Sequence, residues 1–249
     1  FTWQTNFTDA ENYGSHLETV TVTDVFGVSA EQNVTVTVNN VVNTECSNAV
    51  KNSCTVSSST TLPAQQHYAF KDGIRIIGDN LVLDCAGSTI DGTGSPYPSD
   101  GISIGGRDGV TVKNCQVNNY NRGLSVLSSL NSIIDSIQAT GNKVGIYLES
   151  SHNNQITTSS VDTSVDFGVM LDQSNGNTLS NNAITGSSAT DANIMIMNTN
   201  NNQITDNVIS SVPNGNGMWI QTSTNTLAEG NTFESSANGI KLESSSQTT

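Results

Sequence analysis

One short phrase recurs from residue 101 onward, and its period leaves the chain very few folds. The phrase is Gly, apolar, any, apolar, followed by a polar stretch and a second short apolar segment. It starts at Gly101, Gly123, Gly145, Gly168, Asn193, Gly217 and Gly239, with spacings of 22, 22, 23, 25, 24 and 22 residues. A fixed period of this size marks a solenoid. Apolar residues alternate within each phrase, as in Ile102 and Ile104 or Ile146 and Leu148, which is the period of a strand with one face inward. A unit this short cannot cover its own apolar face, so the units must stack. The Leu-x-x-Leu-x-Leu phrase of leucine-rich repeats is absent. The pattern predicts an all-β chain built as a parallel β-helix of about seven to eight rungs.

A second register supports the first. Val112…Val117, Ile134…Ala139, Ile156…Val161, Leu179…Ile184 and Ile204…Ile209 keep one spacing, and Leu227…Phe233 is one residue longer. Two residues before the second apolar position stand Cys115, Ile137, Ser159, Asn182, Asn207 and Asn231. Small or Asn residues at one rung position predict an internal ladder of stacked side chains bonded along the axis. An earlier, irregular rung starts at Gly73 and carries an insertion at 92–99. The helix is expected over 73–249, with 43–72 as linker and N-terminal cap.

Two stretches, Ser174-Asn-Gly-Asn-Thr-Leu-Ser-Asn-Asn-Ala-Ile184 and Asn200-Asn-Asn-Gln-Ile-Thr-Asp-Asn-Val-Ile209, resemble the repeats of NosD-like right-handed β-helix proteins. Gly78-Asp-Asn-Leu-Val-Leu-Asp-Cys-Ala-Gly-Ser-Thr-Ile90 is similar to the first-rung phrase of surface members of that group. The resemblance spans roughly 54–249 and implies the right-handed fold. Function stays open, because the group includes polysaccharide-binding, sugar-processing, copper-maturation and cell-surface proteins.

Residues 1–42 read differently. Thr19-Val-Thr-Val-Thr23 and Asn33-Val-Thr-Val-Thr-Val38 alternate cleanly and predict a hairpin joined through Asp24-Val-Phe-Gly27. Asp9-Ala-Glu-Asn-Tyr13 resembles the tyrosine-corner approach of an immunoglobulin-like or PKD-like β-sandwich. The earlier strands of such a sandwich are missing, and a lone hairpin is marginal in water. Two readings follow. Either the chain is part of a longer protein, or these strands complete a sheet in a neighbouring subunit.

Lys and Arg total 8 against 22 Asp and Glu, a formal charge of −14, which argues against nucleic acid and anionic membranes as partners. No apolar run approaches a membrane span. The chain begins with Phe1 and shows no signal peptide, so a processed or cut extracellular or cell-surface protein is expected. Asn6 and Asn33 head the two N-glycosylation acceptor triplets. Cys46 and Cys54 flank a short loop between the two parts, and Cys85 and Cys115 fall at similar positions on successive rungs. Neighbouring strands stand about 4.8 Å apart, within disulfide reach, so two bridges are expected. The alternative for Cys85 and Cys115 is a pair of stacked free thiols.

The third phrase position points outward and brings Tyr147, Met170, Met195 and Trp219 into one column, with Met197 beside them. An exposed apolar stripe of this kind predicts contact with a protein, a covering loop or a stacked sugar. Glu149 and Asp172 fall on successive rungs of the neighbouring column with no Arg or Lys expected beside them, and the histidines (His16, His67, His152) are scattered. No catalytic constellation emerges. Thioethers suit Cu(I), but no Cys or His joins the methionines, so no metal or cofactor is expected. The reading that follows is a non-enzymatic structural protein, a surface or filament subunit assembling head to tail. Its alternative is a glycan-binding or glycan-cleaving β-helix that uses the Tyr147–Trp219 face.

Overall fold

The computed structural model describes residues 15–23, 29–37, 46, 52–93, 99–162, 164–186 and 192–249, and among them no helix occurs. The chain divides into two compact units, Phe1–Thr44 and Glu45–Thr249. In the first, Ser15–Thr23 pairs antiparallel with Ser29–Thr37, Thr19 opposite Asn33, which is the expected hairpin. Asn6, the Asp9–Tyr13 segment and the rest of the anticipated sandwich lie outside the described residues.

In the second unit each turn of chain lays down three strands, and strands of one kind stack in parallel into three sheets. The first sheet stacks Cys54–Val56, Ile74–Ile76, Asp100–Gly105, Arg122–Leu127, Val144–Glu149, Phe167–Asp172 and Ala192–Met197. The second runs from Thr60–Thr61 to Leu227–Glu229 and has 8 strands, one for each turn. The third begins at His67–Ala69 and continues through Ala183–Thr185. Val208–Gln221 and Thr232–Glu243 then run from the third sheet into the first and join the two. The chain is a parallel β-helix, and its first turn (54–69) already lies within the segment read as linker and cap.

The alternating residues meet in register. Ile102, Leu124, Ile146, Val169, Ile194 and Met218 are successive Cα partners, each at most 1% exposed. Each such side chain removed from water stabilises the fold by about 1.5–3 kcal/mol. The phrase glycine is needed for close approach. A Cβ on Gly145 would stand 2.3 Å from Val161 Cγ1 and 2.6 Å from the Gly168 carbonyl oxygen, so the third sheet and the next turn exclude any larger residue.

Corners repeat as regularly as strands. Between the second and third sheets the backbone turns through Asn114, Ser136, Thr158, Asn181 and Asp206, with φ of 56°, 55°, 52°, 56° and 55°, and then Gly230 at 68°. Only Gly and, to a lesser degree, Asn enter this left-handed region easily, and that favours Asn and Gly at these corners. The residue after each corner points inward and builds the expected ladder. Ser159 Oγ accepts from the Ile137 N–H, Asn182 Oδ1 from the Ser159 N–H and Asn207 Oδ1 from the Asn182 N–H, at 3.1, 2.9 and 2.9 Å. Cys115 of this column is bridged to Cys85, just before the corner of the preceding turn, with the Cα atoms 4.9 Å apart. Cys46–Cys54 is also bridged, at 5.0 Å. The free-thiol alternative is thereby set aside.

Candidate functional site

Two continuous columns occupy the outward face of the first sheet. One runs Ser103, Ser125, Tyr147, Met170, Met195, Trp219, Lys241, and the other Leu127, Glu149, Asp172, Met197, Gln221, Glu243, all as successive Cα partners. Every residue of the anticipated stripe is therefore brought together. Its exposure is not as expected. Tyr147 is 8% and Met195 5% exposed, and Met170, Met197 and Trp219 are only partly so. Long side chains on strands about 4.8 Å apart lie against one another and shed water.

Two cations complete the cover. Arg122 stands 4.4 Å from the centroid of the Tyr147 ring, and the Lys241 ammonium 3.7 Å from that of Trp219. A cation over an aromatic face is attracted by the ring's quadrupole. Both cations also face carboxylates: Arg122 is 3.6 Å from Asp100, and Lys241 is 3.4 Å from Glu243. Ser125 donates to Asp100 at 2.7 Å, Asn198 to Asp172 at 3.3 Å and Gln221 to Glu243 at 3.4 Å. Among the described residues no ion pair joins an Arg or Lys to Glu149 or Asp172, and Arg122 reaches instead the tyrosine that bonds Glu149. Its signal was readable. Asp100 and Arg122 each stand one residue before a phrase glycine, an outward position that the phrase itself does not include.

Burial pushes the Tyr147 phenol up to about 12, Glu149 and Asp172 raise it further, and Arg122 opposes them. At neutral pH the phenol is therefore a proton donor held against Glu149. Trp219 Nε1 is buried with no hydrogen-bond partner among the described residues. The face thus offers carboxylate and amide donors and acceptors beside covered rings, and such polar groups recognise hydroxyl-rich ligands.

Metal donors are sparse. All four cysteines are in disulfides, His67 pairs with Asp91, and His152 Nδ1 accepts from the Asn175 N–H at 3.0 Å. Among the described residues no group of three or more His, Cys, Asp or Glu could hold a metal ion. Three thioethers are different: Met170 and Met195 are direct partners on neighbouring strands, and Met197 is two residues along the same outward face. A recess of about 370 Å³ near Gly87, Asn114 and Gln138 opens at the corner between the other two sheets. The polar groups in it are engaged, Gln116 with Gly87 and Thr89, and Asn114 with Asp84.

The fold is similar to that of the periplasmic alginate epimerase AlgG, at 16% identity and a TM-score of 0.56 over 77% of this chain and 51% of that one. It is also similar to full-length tailspike protein 2 from the Escherichia coli O157:H7 bacteriophage CAB120, at 14% identity and a TM-score of 0.54 over 78% and 34%. The chain spans about half the length of the alginate epimerase. No curated protein sequence matches it. The family model of the periplasmic copper-binding protein NosD matches residues 86–249, and with that match over most of its β-helix the chain belongs to the NosD family.

Proposed function

We propose that this chain is a glycan-binding β-helix protein of the cell envelope or exterior, and that the glycan lies along the first sheet. The observation that carries this reading is the pair of unbroken columns at one strand spacing, a linear repeating surface suited to a linear repeating ligand. Glu149, Asp172, Gln221 and Glu243 supply donors and acceptors along it, and Trp219 lies among them beneath the Lys241 ammonium. The fold it shares with the alginate epimerase supports the reading, as does the periplasmic location named for both that protein and the family. Assembly as a filament subunit through strand donation gains nothing comparable.

Binding of neutral and acidic polysaccharides, followed by isothermal calorimetry and by product analysis, tests the proposal. Trp219→Ala and Glu149→Gln should each weaken binding about tenfold, the loss of one good contact, with the β-sheet spectrum unchanged. Product formation abolished by Glu149→Gln would extend the reading from binding to cleavage. The proposal fails if no polysaccharide binds, or if both variants bind as the parent does.

The family description names copper. The donors here that suit it are the thioethers of Met170, Met195 and Met197, since the described cysteines are oxidised and the described histidines stand apart. Copper held there would supply a Lewis-acidic, redox-active centre. The chain's own part is to place Met170 and Met195 between Tyr147 and Trp219 in one column, with Met197 between Asp172 and Gln221 in the next.

A further inference from the structure

We infer that the N-terminal end of the first sheet is an oxyanion subsite, which takes an isolated carboxylate or sulfate on an otherwise neutral stretch of glycan. The inference rests on the glycan reading of this sheet and adds the class of sugar that it selects. The chain has three arginines, Arg75, Arg107 and Arg122, and all three lie on or beside the first four strands of this sheet. Arg75 is the Cα partner of Ser103, and their column continues through Ser125 to Tyr147. The face steps down after Arg75. Ser103 is short, and a Cβ added to Gly105 or Gly106 on the same stretch would meet nothing within 4 Å. Long side chains resume at Leu127 and Tyr147. Arg75 is exposed and Arg107 partly so, and among the described residues neither is in an ion pair, whereas Lys113, Arg122, Lys143 and Lys241 each face a carboxylate. A guanidinium presents a planar fork of donors that matches an oxyanion, and here two such forks border an open step.

The rest of the face limits how much charge the glycan can carry. Glu149 and Asp172 are successive partners in the neighbouring column, and Glu243 lies further along it. Three strand steps separate Arg75 from Tyr147, on the strand that also carries Glu149. At the spacing of paired strands that is about 14 Å. Salt screens charges over about 8 Å at physiological ionic strength, so an anion at Arg75 is shielded from Glu149. A second anion three steps along would lie beside Glu149, and like charges set together cost affinity. Asp100, on the strand next to Arg75, is already engaged by Arg122 and Ser125. A uniformly charged polyuronate is thereby disfavoured, and a glycan whose acidic residues are separated by neutral sugars fits.

The experiment is calorimetry of the full chain with oligosaccharides of similar length. The ligands are gellan (isolated carboxylates), a sparsely sulfated β-glucan (isolated sulfates), the unmodified β-glucan and polygalacturonate (uniform carboxylates). Gellan or the sulfated glucan should bind about tenfold or more tighter than the unmodified glucan, and the tighter of the two names the oxyanion. Polygalacturonate should bind more weakly than that preferred ligand. Added salt should weaken the preferred ligand and spare the unmodified glucan. Arg75→Gln, at an exposed position, should remove the advantage of the anionic ligand, and Arg75→Lys should restore part of it. Lys113→Gln, on the second sheet, should leave all four affinities unchanged. The inference is overturned, and glycan binding stands, if the unmodified glucan binds as tightly as both anionic ligands. The same holds if polygalacturonate matches the preferred ligand, or if Arg75→Gln binds as the parent does. If none of the four binds, both readings fall.

Discussion

Asn182 shows what one side chain contributes to a solenoid. Its Oδ1 accepts from the Ser159 N–H, and its Nδ2 donates to the Ile156 carbonyl and to Asn207 Oδ1, at 2.9, 3.0 and 2.9 Å. The site is 3% exposed, so no water replaces a lost partner. Asn182→Ala leaves a buried donor and a buried acceptor unmet, each costing about 1–3 kcal/mol, so unfolding in urea should show a loss of about 2–6 kcal/mol. A loss below 1 kcal/mol would mean that the column is ornamental. This ladder could be read from Ser159, Asn182, Asn207 and Asn231 recurring two residues before an apolar position. A second ladder was equally readable and was missed. Asn154 Oδ1 accepts from the Ser132 N–H, Asn177 Oδ1 from the Asn154 N–H and Asn202 Oδ1 from the Asn177 N–H, each at 2.8 Å. Those residues stand two before the first apolar position of the second register, inside runs of Asn and Ser that look like plain loop. Asn193 replaces the phrase glycine on one turn and bonds the Ile184 and Ser210 carbonyls, a role that only the folded register reveals.

Strand pairing and direction followed from the period, because a shift of one residue would turn Ile146 and Leu148 outward. Exposure did not follow. It depends on side chains reaching between turns, such as Arg122 over Tyr147 and Lys241 over Trp219, and no spacing rule records that reach. The Cys85–Cys115 bridge belongs to this scale too, since it ties two successive turns at the irregular corner formed by Ala86 and Gly87, with φ of 48° and 79°. It closes a sequence separation of 30 residues, for which chain entropy gives about 3–4 kcal/mol. Cys85→Ala/Cys115→Ala should therefore lower unfolding free energy by that amount. Both sulfurs are in residues 0% exposed, so reductant should act on the native chain only slowly. Rapid reduction of the folded protein, or an unchanged midpoint in the variant, would contradict this account.

At the scale of the molecule the β-helix gains stability from contact between neighbouring turns, and a solenoid of this kind adds nearest-neighbour terms. Each described sheet partner of a turn is the turn before it or after it. The hairpin of Ser15–Thr23 and Ser29–Thr37 is different, since its two strands pair with each other. Its alternation could be read in the sequence, whereas two strands carry too little pattern to name a sandwich. Both disulfides fall inside Glu45–Thr249, so removing the first unit cuts neither. A chain of 45–249 should then fold by itself, with the β-sheet spectrum, both bridges and a thermal midpoint within about 4 °C of the parent, the shift that about 1 kcal/mol produces in a domain this long. Circular dichroism melting and mass spectrometry under alkylating conditions would measure this. Collapse of the spectrum or free thiols in the shortened chain would show that the first unit helps to found the helix.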